Sequence, residues 1–143
     1  MLLIKPIEDK KIQEAVCAAC GAAFRPDCLA YFAAEGDDKT FEPTALLGVC
    51  QFSTAGYIAD LKSAKDANDE EALQIMARTA MNFMYRCECK TAELLPGACT
   101  DDLADKLCLL PGKDGRRTLD LALYYESPCH YKDAVQKAGE TNA

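Results

Sequence analysis

Two carboxylates, at or within predicted strands, are candidates for a general base. Glu42 precedes Pro43 at the mouth of a predicted strand, and Asp60 lies inside the next strand along the chain. Either could take a proton from an amine, directly or through water, if burial raised its pKa. The structural alternatives are a solvated carboxylate at Glu42 and a paired charge at a sheet edge for Asp60. Both are candidate catalytic residues.

The cysteines offer a second kind of chemistry, and there are nine of them in 143 residues. The pairs Cys17/Cys20 and Cys87/Cys89 could together supply four thiolates to zinc, or the first could act as a redox pair. The first pair falls in the last turn of a predicted helix, however, away from the helix N-terminus that stabilises a thiolate. The second pair has a single residue between its cysteines. Because free cysteine is among the most buried residue types, packing in the core is the favoured interpretation, and we predict no metal.

The only histidine, His130, directly follows Cys129. Adjacent side chains on an extended chain point to opposite sides, so the two are poorly placed as a nucleophile and its base. A single histidine also excludes a metal centre built from several histidines.

Composition limits the partners. The formal charge of −7 argues against nucleic acid and against an anionic membrane surface, since both bind through basic residues. No apolar stretch approaches the roughly 20 residues that span a bilayer, and the opening segment is too short for a signal peptide. An odd cysteine count without an export signal favours reduced thiols. We therefore predict one acidic, cysteine-rich, cytoplasmic domain.

Hydrophobic periodicity predicts the order β-α-β-β-β-α-β-α-β. The strands are expected at 2–7, 28–34, 45–52, 57–62, 91–95 and 118–125, and the helices at 12–20, 66–86 and 101–109. Strict alternation in 57–62 places Tyr57, Ala59 and Leu61 on one face. The first helix is expected to bury the apolar face formed by Ile12, Ala15, Val16, Ala19 and Cys20.

The helix predicted at 66–86 is the strongest element of the chain. Its polar residues form one narrow stripe, and nearly all its other residues are apolar: Glu70, Gln74, Arg78, Asn82 and Arg86 make up the stripe. Such a helix packs into the middle of a domain, against a sheet. As a crossover it should make the strands on either side of it parallel.

Three segments carry a family resemblance. One enzyme superfamily carries the pattern G-V-x-x-F in its third strand, and the stretch Gly48-Val49-Cys50-Gln51-Phe52 resembles that strand. The segment 57–61 resembles the fourth strand of the same superfamily. The run from Leu103 to Leu109, before a loop that contains glycine, is similar to a helix ending in L-G-F. With the order of elements, these segments resemble the GNAT superfamily of acyl-CoA-dependent N-acetyltransferases over essentially the whole chain.

The resemblance implies an α+β fold in an α/β/α arrangement, with a mixed, mostly antiparallel sheet. It also implies a central parallel strand–helix–strand unit and helices on both faces of the sheet. Acetyl-CoA or another acyl-CoA would be the co-substrate, lying along Ile58, Ala59, Asp60 and Leu61, and a small-molecule or peptide amine would be the acceptor.

The stretch 62–71 departs from the family pattern. Members of the family hold the cofactor's pyrophosphate there on a glycine-rich helix N-terminus, which is an anion site. This chain has no glycine in the stretch and four carboxylates, which Lys62 and Lys65 offset in part. The helix at 101–109 also lacks the tyrosine that protonates the leaving thiolate in many members. A second hypothesis follows: a catalytically degenerate GNAT-fold protein that serves as a binding or assembly module, for example as a homodimer.

Overall fold

A computed structural model describes residues 1–126, with seven strands and four helices in that part of the chain. The strands are β1 (Leu2–Pro6), β2 (Leu29–Gly36), β3 (Pro43–Ser53), β4 (Tyr57–Ser63), β5 (Thr91–Leu94), β6 (Leu110–Pro111) and β7 (Arg117–Asp120). The helices are α1 (Lys10–Ala19), α2 (Glu70–Arg86), α3 (Asp101–Lys106) and α4 (Leu121–Glu126). The strands form one sheet in the order β1-β2-β3-β4-β5-β7-β6. The predicted α+β class with a mostly antiparallel sheet is confirmed.

Strands β4 and β5 form the parallel pair of this sheet. Their register joins Tyr57 to Glu93 and Ile58 to Leu94, and the amide of Leu95 still donates to the carbonyl of Ile58 at 2.9 Å. Beyond that point β5 ends, while β4 continues to Ser63 beside β3. The second half of β4 therefore has no strand on its β5 side.

A β-bulge divides strand β4 into two halves. Gln51 of β3 pairs with Asp60 and Phe52 pairs with Ile58, so Ala59 is the extra residue. A bulge puts two residues of one strand opposite a single residue of its partner and shifts the alternation of side chains. Ile58 and Leu61 consequently belong to the same core cluster. The predicted strict alternation along β4 is wrong for this reason.

Two clusters of buried side chains hold the helices to the sheet. The larger contains the buried residues of α2 together with Cys50 and Phe52 of β3. The smaller joins Cys17 of α1 to Ala30 and Val49 of the sheet. The polar stripe predicted on α2 faces solvent for the most part, because Glu70, Arg78, Asn82 and Arg86 are exposed.

Helix α1 presents a different face to the sheet from the one that apolar periodicity predicts. Ile12 is 53% exposed and Ala15 and Ala19 are exposed, whereas Gln13 and Cys17 are fully buried. The polar Gln13 is buried because its side-chain amide bonds to carbonyl groups beneath the helix, as described below. The predicted face is therefore wrong for Ile12, Ala15 and Ala19. Of its other two residues, Cys20 is buried and Val16 is half-buried.

Helices α1, α2 and α3 begin and end with recognisable caps. The side chains of Asp9, Asp69 and Thr100 accept hydrogen bonds from amides of the respective first turns. The three helices end in the Schellman arrangement, in which the residue after the C-cap adopts a left-handed backbone. That residue is Gly21 in α1, but Glu88 in α2 and Cys108 in α3, at φ of 68° and 63°.

The strand predicted at 118–125 ends early. Strand β7 stops at Asp120, whose carboxylate accepts a hydrogen bond from the amide of Leu123 at 3.0 Å. This is the bond of a helix N-cap, and the chain continues as α4. The prediction of a strand to Tyr125 is wrong because an aspartate cap outweighed the alternating leucines.

None of the helices in residues 1–126 is both long enough and apolar enough to cross a membrane. The prediction made for Cys129 and His130 lies outside the described residues.

Candidate functional site

A cavity of about 350 Å³ opens where the second half of β4 has no partner strand. Its walls come from the end of β4, the start of α2 and the start of α3. Lys62 and Ser63 contribute from β4, Asn68 precedes α2, and Cys99 and Thr100 precede α3. The cavity thus combines the end of a strand with the beginnings of two helices.

The residues predicted to contact an acyl-CoA divide between this cavity and the core. Leu61 and Lys62 line the cavity. Ile58, Ala59 and Asp60 are buried and are not among its lining residues. Lys65 is exposed on the loop between β4 and α2. The structure therefore brings together two of the six predicted contact residues at the cavity.

The ammonium of Lys62 already has a hydrogen-bond partner. Its Nζ donates a hydrogen bond of 2.5 Å to the carbonyl oxygen of Gly97, in the loop that follows β5. In the same loop, the carbonyl of Ala98 accepts a hydrogen bond of 2.9 Å from the backbone amide of Leu61. The loop therefore supplies the backbone partner that β5 no longer provides.

The start of α2 presents negative charge to the cavity. Asp69 caps the helix by accepting from the amide of Ala72 at 3.0 Å, and the first turn carries Glu70 and Glu71. Glu70 also pairs with Lys106 of α3 at 2.6 Å. A helix N-terminus attracts anions through its free amides and its dipole, and these carboxylates occupy that role here. These carboxylates therefore weaken the attraction of this helix start for a phosphate.

The other side of β4 carries a buried network of polar side chains. Asp60 is 5% exposed, and its Oδ2 accepts hydrogen bonds of 2.7 Å from both Gln51 and Arg25. The bond to Asp60, with the attraction of its charge, raises the pKa of the Arg25 guanidinium. Since Arg25 is 44% exposed at its side chain, it closes the network toward solvent.

Gln51 is the centre of that network and is fully buried. Its amide nitrogen donates to Asp60 and to the carbonyl of Ala23, and its oxygen accepts from Gln13 and from the amide of Arg25. These bonds use both donors and both acceptor positions of the side chain. No buried side-chain nitrogen or oxygen in the described residues lacks a partner.

The network also fastens the connection between α1 and β2, which has no regular structure. Gln13 donates to the carbonyl of Arg25 at 3.2 Å, and Lys10 donates to the carbonyl of Cys28 at 2.7 Å. The connection crosses the sheet with its carbonyl groups facing the protein, and buried carbonyls need partners. Asp60 is thus part of a structural assembly, which matches the alternative of a paired charge.

Glu42 lies far from both the cavity and the network. It is exposed at the tip of the β2–β3 hairpin, next to Phe41, which has a left-handed φ of 59°. Gln51, which pairs with Asp60, is nine residues further along β3, or about 30 Å of extended chain. The structure therefore does not bring the two predicted catalytic carboxylates together.

The prediction that the two cysteine pairs pack in the core is confirmed for Cys17 and Cys20 but is wrong for Cys87. Cys17, Cys20, Cys28 and Cys50 are buried, whereas Cys87 is exposed. Burial raises the pKa of Cys17 and of Cys20 to about 11, which keeps both as thiols near neutral pH. No group of three or more histidine, cysteine or carboxylate side chains within residues 1–126 is arranged to hold a metal ion.

The basic residues near the end of the described chain are also paired. Arg116 contacts Glu93 across a second cavity, of about 450 Å³, and Arg117 pairs with Asp105 at 2.7 Å. The bond to Asp105 raises the pKa of Arg117. These pairings leave the second cavity with mixed charge.

Sequence reasoning missed Gln13, Gln51 and Arg25. One signal was available, because Gln51 is a polar residue inside an otherwise apolar stretch from Ala45 to Phe52. A polar residue in such a run needs a buried partner. The partners, however, come from α1 and from an irregular connection, and neither can be assigned from spacing alone.

Comparisons with family models, with curated proteins and with solved structures gave no match to this chain.

Proposed function

We propose that this chain is a divergent GNAT-like N-acyltransferase that takes an acyl group from CoA and passes it to an amine. The observation that carries the proposal is the separation of β4 from β5 after two parallel residue pairs, with a cavity at the end of β4. An extended arm with amide groups, such as pantetheine, fits beside a strand whose backbone lacks a neighbouring strand.

Further features of the fold support the proposal. Helix α2 joins the parallel strands, and α1 and α2 belong to core clusters that use two consecutive residues of β3, Val49 and Cys50. Consecutive residues of a strand face opposite sides of the sheet, which favours helices on both faces. Cys108 has the left-handed backbone that glycine favours, at the place of the glycine in the L-G-F ending.

The transfer balances with the acyl-CoA and the amine alone. The amine nitrogen forms a bond to the thioester carbonyl carbon, the carbon–sulfur bond breaks, and the amine proton ends on the CoA thiol. The proposal assigns no general base, because Asp60 is held by Arg25 and Gln51 and Glu42 is remote. The amine therefore has to arrive unprotonated. Lys62 and Lys65 are the cations nearest in sequence to the acidic start of α2, and they are assigned to the CoA phosphates.

A second candidate is the catalytically degenerate protein that serves as a binding or assembly module, for example as a homodimer. It is favoured by the carboxylates at the start of α2, where Asp69 already caps the helix and Glu70 and Glu71 follow. Like charge at this position costs affinity for a pyrophosphate.

A thermal-shift titration with acetyl-CoA and with free CoA separates the two candidates. A ligand that binds only the folded chain raises the melting temperature by mass action, so the transferase predicts a rise that grows with concentration. The rise should disappear in the double variant Lys62→Glu/Lys65→Glu, and a Lys5→Glu/Lys39→Glu variant is the charge-matched control. No rise at millimolar acetyl-CoA eliminates the transferase and leaves the module.

A further inference from the structure

The second half of β4 has a backbone edge that must find partners. After Ile58 accepts from the amide of Leu95, no strand of the described chain lies on that side of β4. A buried amide without a partner costs free energy, and Leu61 is 1% exposed. The group that accepts a hydrogen bond from the amide of Leu61 therefore occupies the position that an extended ligand beside β4 would need.

A loop of the chain itself holds that position. In the loop 96–99, the carbonyl of Ala98 accepts from the amide of Leu61 at 2.9 Å, and the carbonyl of Gly97 accepts from Nζ of Lys62 at 2.5 Å. The methyl group of Ala98 is fully buried in the larger core cluster. Gly97 has a φ of 80°, a conformation that favours glycine and lets its carbonyl turn toward Lys62.

The loop is fastened to β4 by few hydrogen bonds. One backbone amide and one ammonium bond to it, Ala98 and part of Cys99 pack against the larger core cluster, and Pro96 and Gly97 are exposed. Segments with few buried contacts open locally at low cost compared with core strands. The cavity of about 350 Å³ lies on the same stretch of β4, with Leu61, Lys62 and Cys99 in its wall.

We propose that the loop 96–99 is an internal strap, which occupies the backbone of β4 in the free protein and is released when an acyl-pantetheine arm binds. The carbonyl of Ala98 stands where an amide carbonyl of the arm bonds to Leu61. The inference rests on the proposed function, because it takes the arm of an acyl-CoA as the ligand. The apparent affinity for the arm is then lower than its affinity for the open form, because only molecules with an open strap can bind it.

Two variants loosen the strap by different chemistry. Lys62→Met removes the ammonium that holds Gly97, and Gly97→Ala disfavours the left-handed backbone. The probe is S-acetylpantetheine, which carries no phosphate, so that loss of a cation cannot weaken its binding. We expect affinity to rise about tenfold in each variant, as measured by calorimetry. Lys39→Met is the matched control, since it removes an exposed lysine at the β2–β3 hairpin, and it should leave this affinity unchanged.

Hydrogen exchange gives a readout that does not depend on a ligand. In the free protein the Leu61 amide should exchange faster in both strap variants than in the wild type, while the amides of α2 keep their protection. Saturating acetyl-CoA should accelerate exchange at Ala98 and keep Leu61 protected.

The failures of the two proposals differ. If the wild type and both variants bind S-acetylpantetheine equally well, the strap is overturned and the acyl-CoA site stands. If Leu61 exchanges faster in the variants yet no form binds the probe or acetyl-CoA at millimolar concentration, the proposed function and the strap both fall.

Discussion

The two sides of strand β4 satisfy their polar groups in different ways. At Asp60 the side chain meets Gln51 and Arg25, and the network reaches α1, β3 and the α1–β2 connection. One residue later, the amide of Leu61 and the ammonium of Lys62 depend on a single short loop. The first side is sealed by several elements at once, and the second is covered by one short loop. This difference supports placing the proposed ligand site on the second side.

The largest expected effect on stability comes from replacing Gln51, the centre of the buried network on the Asp60 side of β4. Gln51→Leu keeps the approximate volume but leaves Asp60, the carbonyl of Ala23 and the amide of Arg25 short of a partner. We expect the free energy of unfolding to fall by about 3–5 kcal/mol, as measured by urea denaturation.

The matched control for that substitution is Gln74→Leu on the outer stripe of α2. It should change stability by no more than about 0.5 kcal/mol. If Gln51→Leu costs no more than its control, the network does not seal this side of β4, and the contrast between the two sides is wrong.

Fold and site differ in how far the sequence predicts them. The helix at 70–86 was predictable, because its apolar positions repeat with the helical period over seventeen residues. The roles of Asp60 and Gln51 were not predictable, because their hydrogen-bond partners lie up to 38 residues away in sequence. The bulge at Ala59 leaves no mark on an apolar strand. The end of β7 could have been recognised from Asp120, since aspartate before a leucine-rich segment is a common helix start.

The second prediction concerns the packing beneath the cavity. A Cβ at Gly48 would lie 2.6 Å from Cδ2 of Leu73 and 2.7 Å from the carbonyl oxygen of Lys62. Leu73 can adjust, but the backbone of Lys62 belongs to the sheet. We expect Gly48→Ala to lower the free energy of unfolding by about 1–3 kcal/mol in the same denaturation experiment. Gly112→Ala, in an exposed loop, is the control and should be nearly neutral. Equal stability of the two variants would mean that β3 and β4 can separate at this point.

The third prediction concerns the buried thiol of Cys17. Burial raises the pKa of Cys17 from an ordinary value of 9.0 to about 11. An acid whose pKa is higher in the folded state stabilises the fold while protonated, so its contribution is complete below pH 9 and is lost as the pH rises toward 11. Cys17→Ala should therefore show a shallower loss of stability between pH 9 and 11 than the wild type. Cys87→Ala, at an exposed position, should follow the wild-type curve. An unchanged slope for Cys17→Ala would show that water reaches this thiol.

The smallest expected effect comes from the C-terminal end of α3. Cys108→Gly removes the strain of a left-handed cysteine, but it also removes a side chain that packs partly against the core. Glu88→Gly relieves the same strain at the end of α2 without that loss, because Glu88 is exposed. We expect calorimetric melting to show a gain of about 0.5–1 kcal/mol for Glu88→Gly and a smaller gain for Cys108→Gly. The difference between the two variants measures what the Cys108 side chain contributes to packing against the core. If Cys108→Gly gained as much as Glu88→Gly, that side chain would contribute nothing, and this end of α3 would depend on its backbone cap alone.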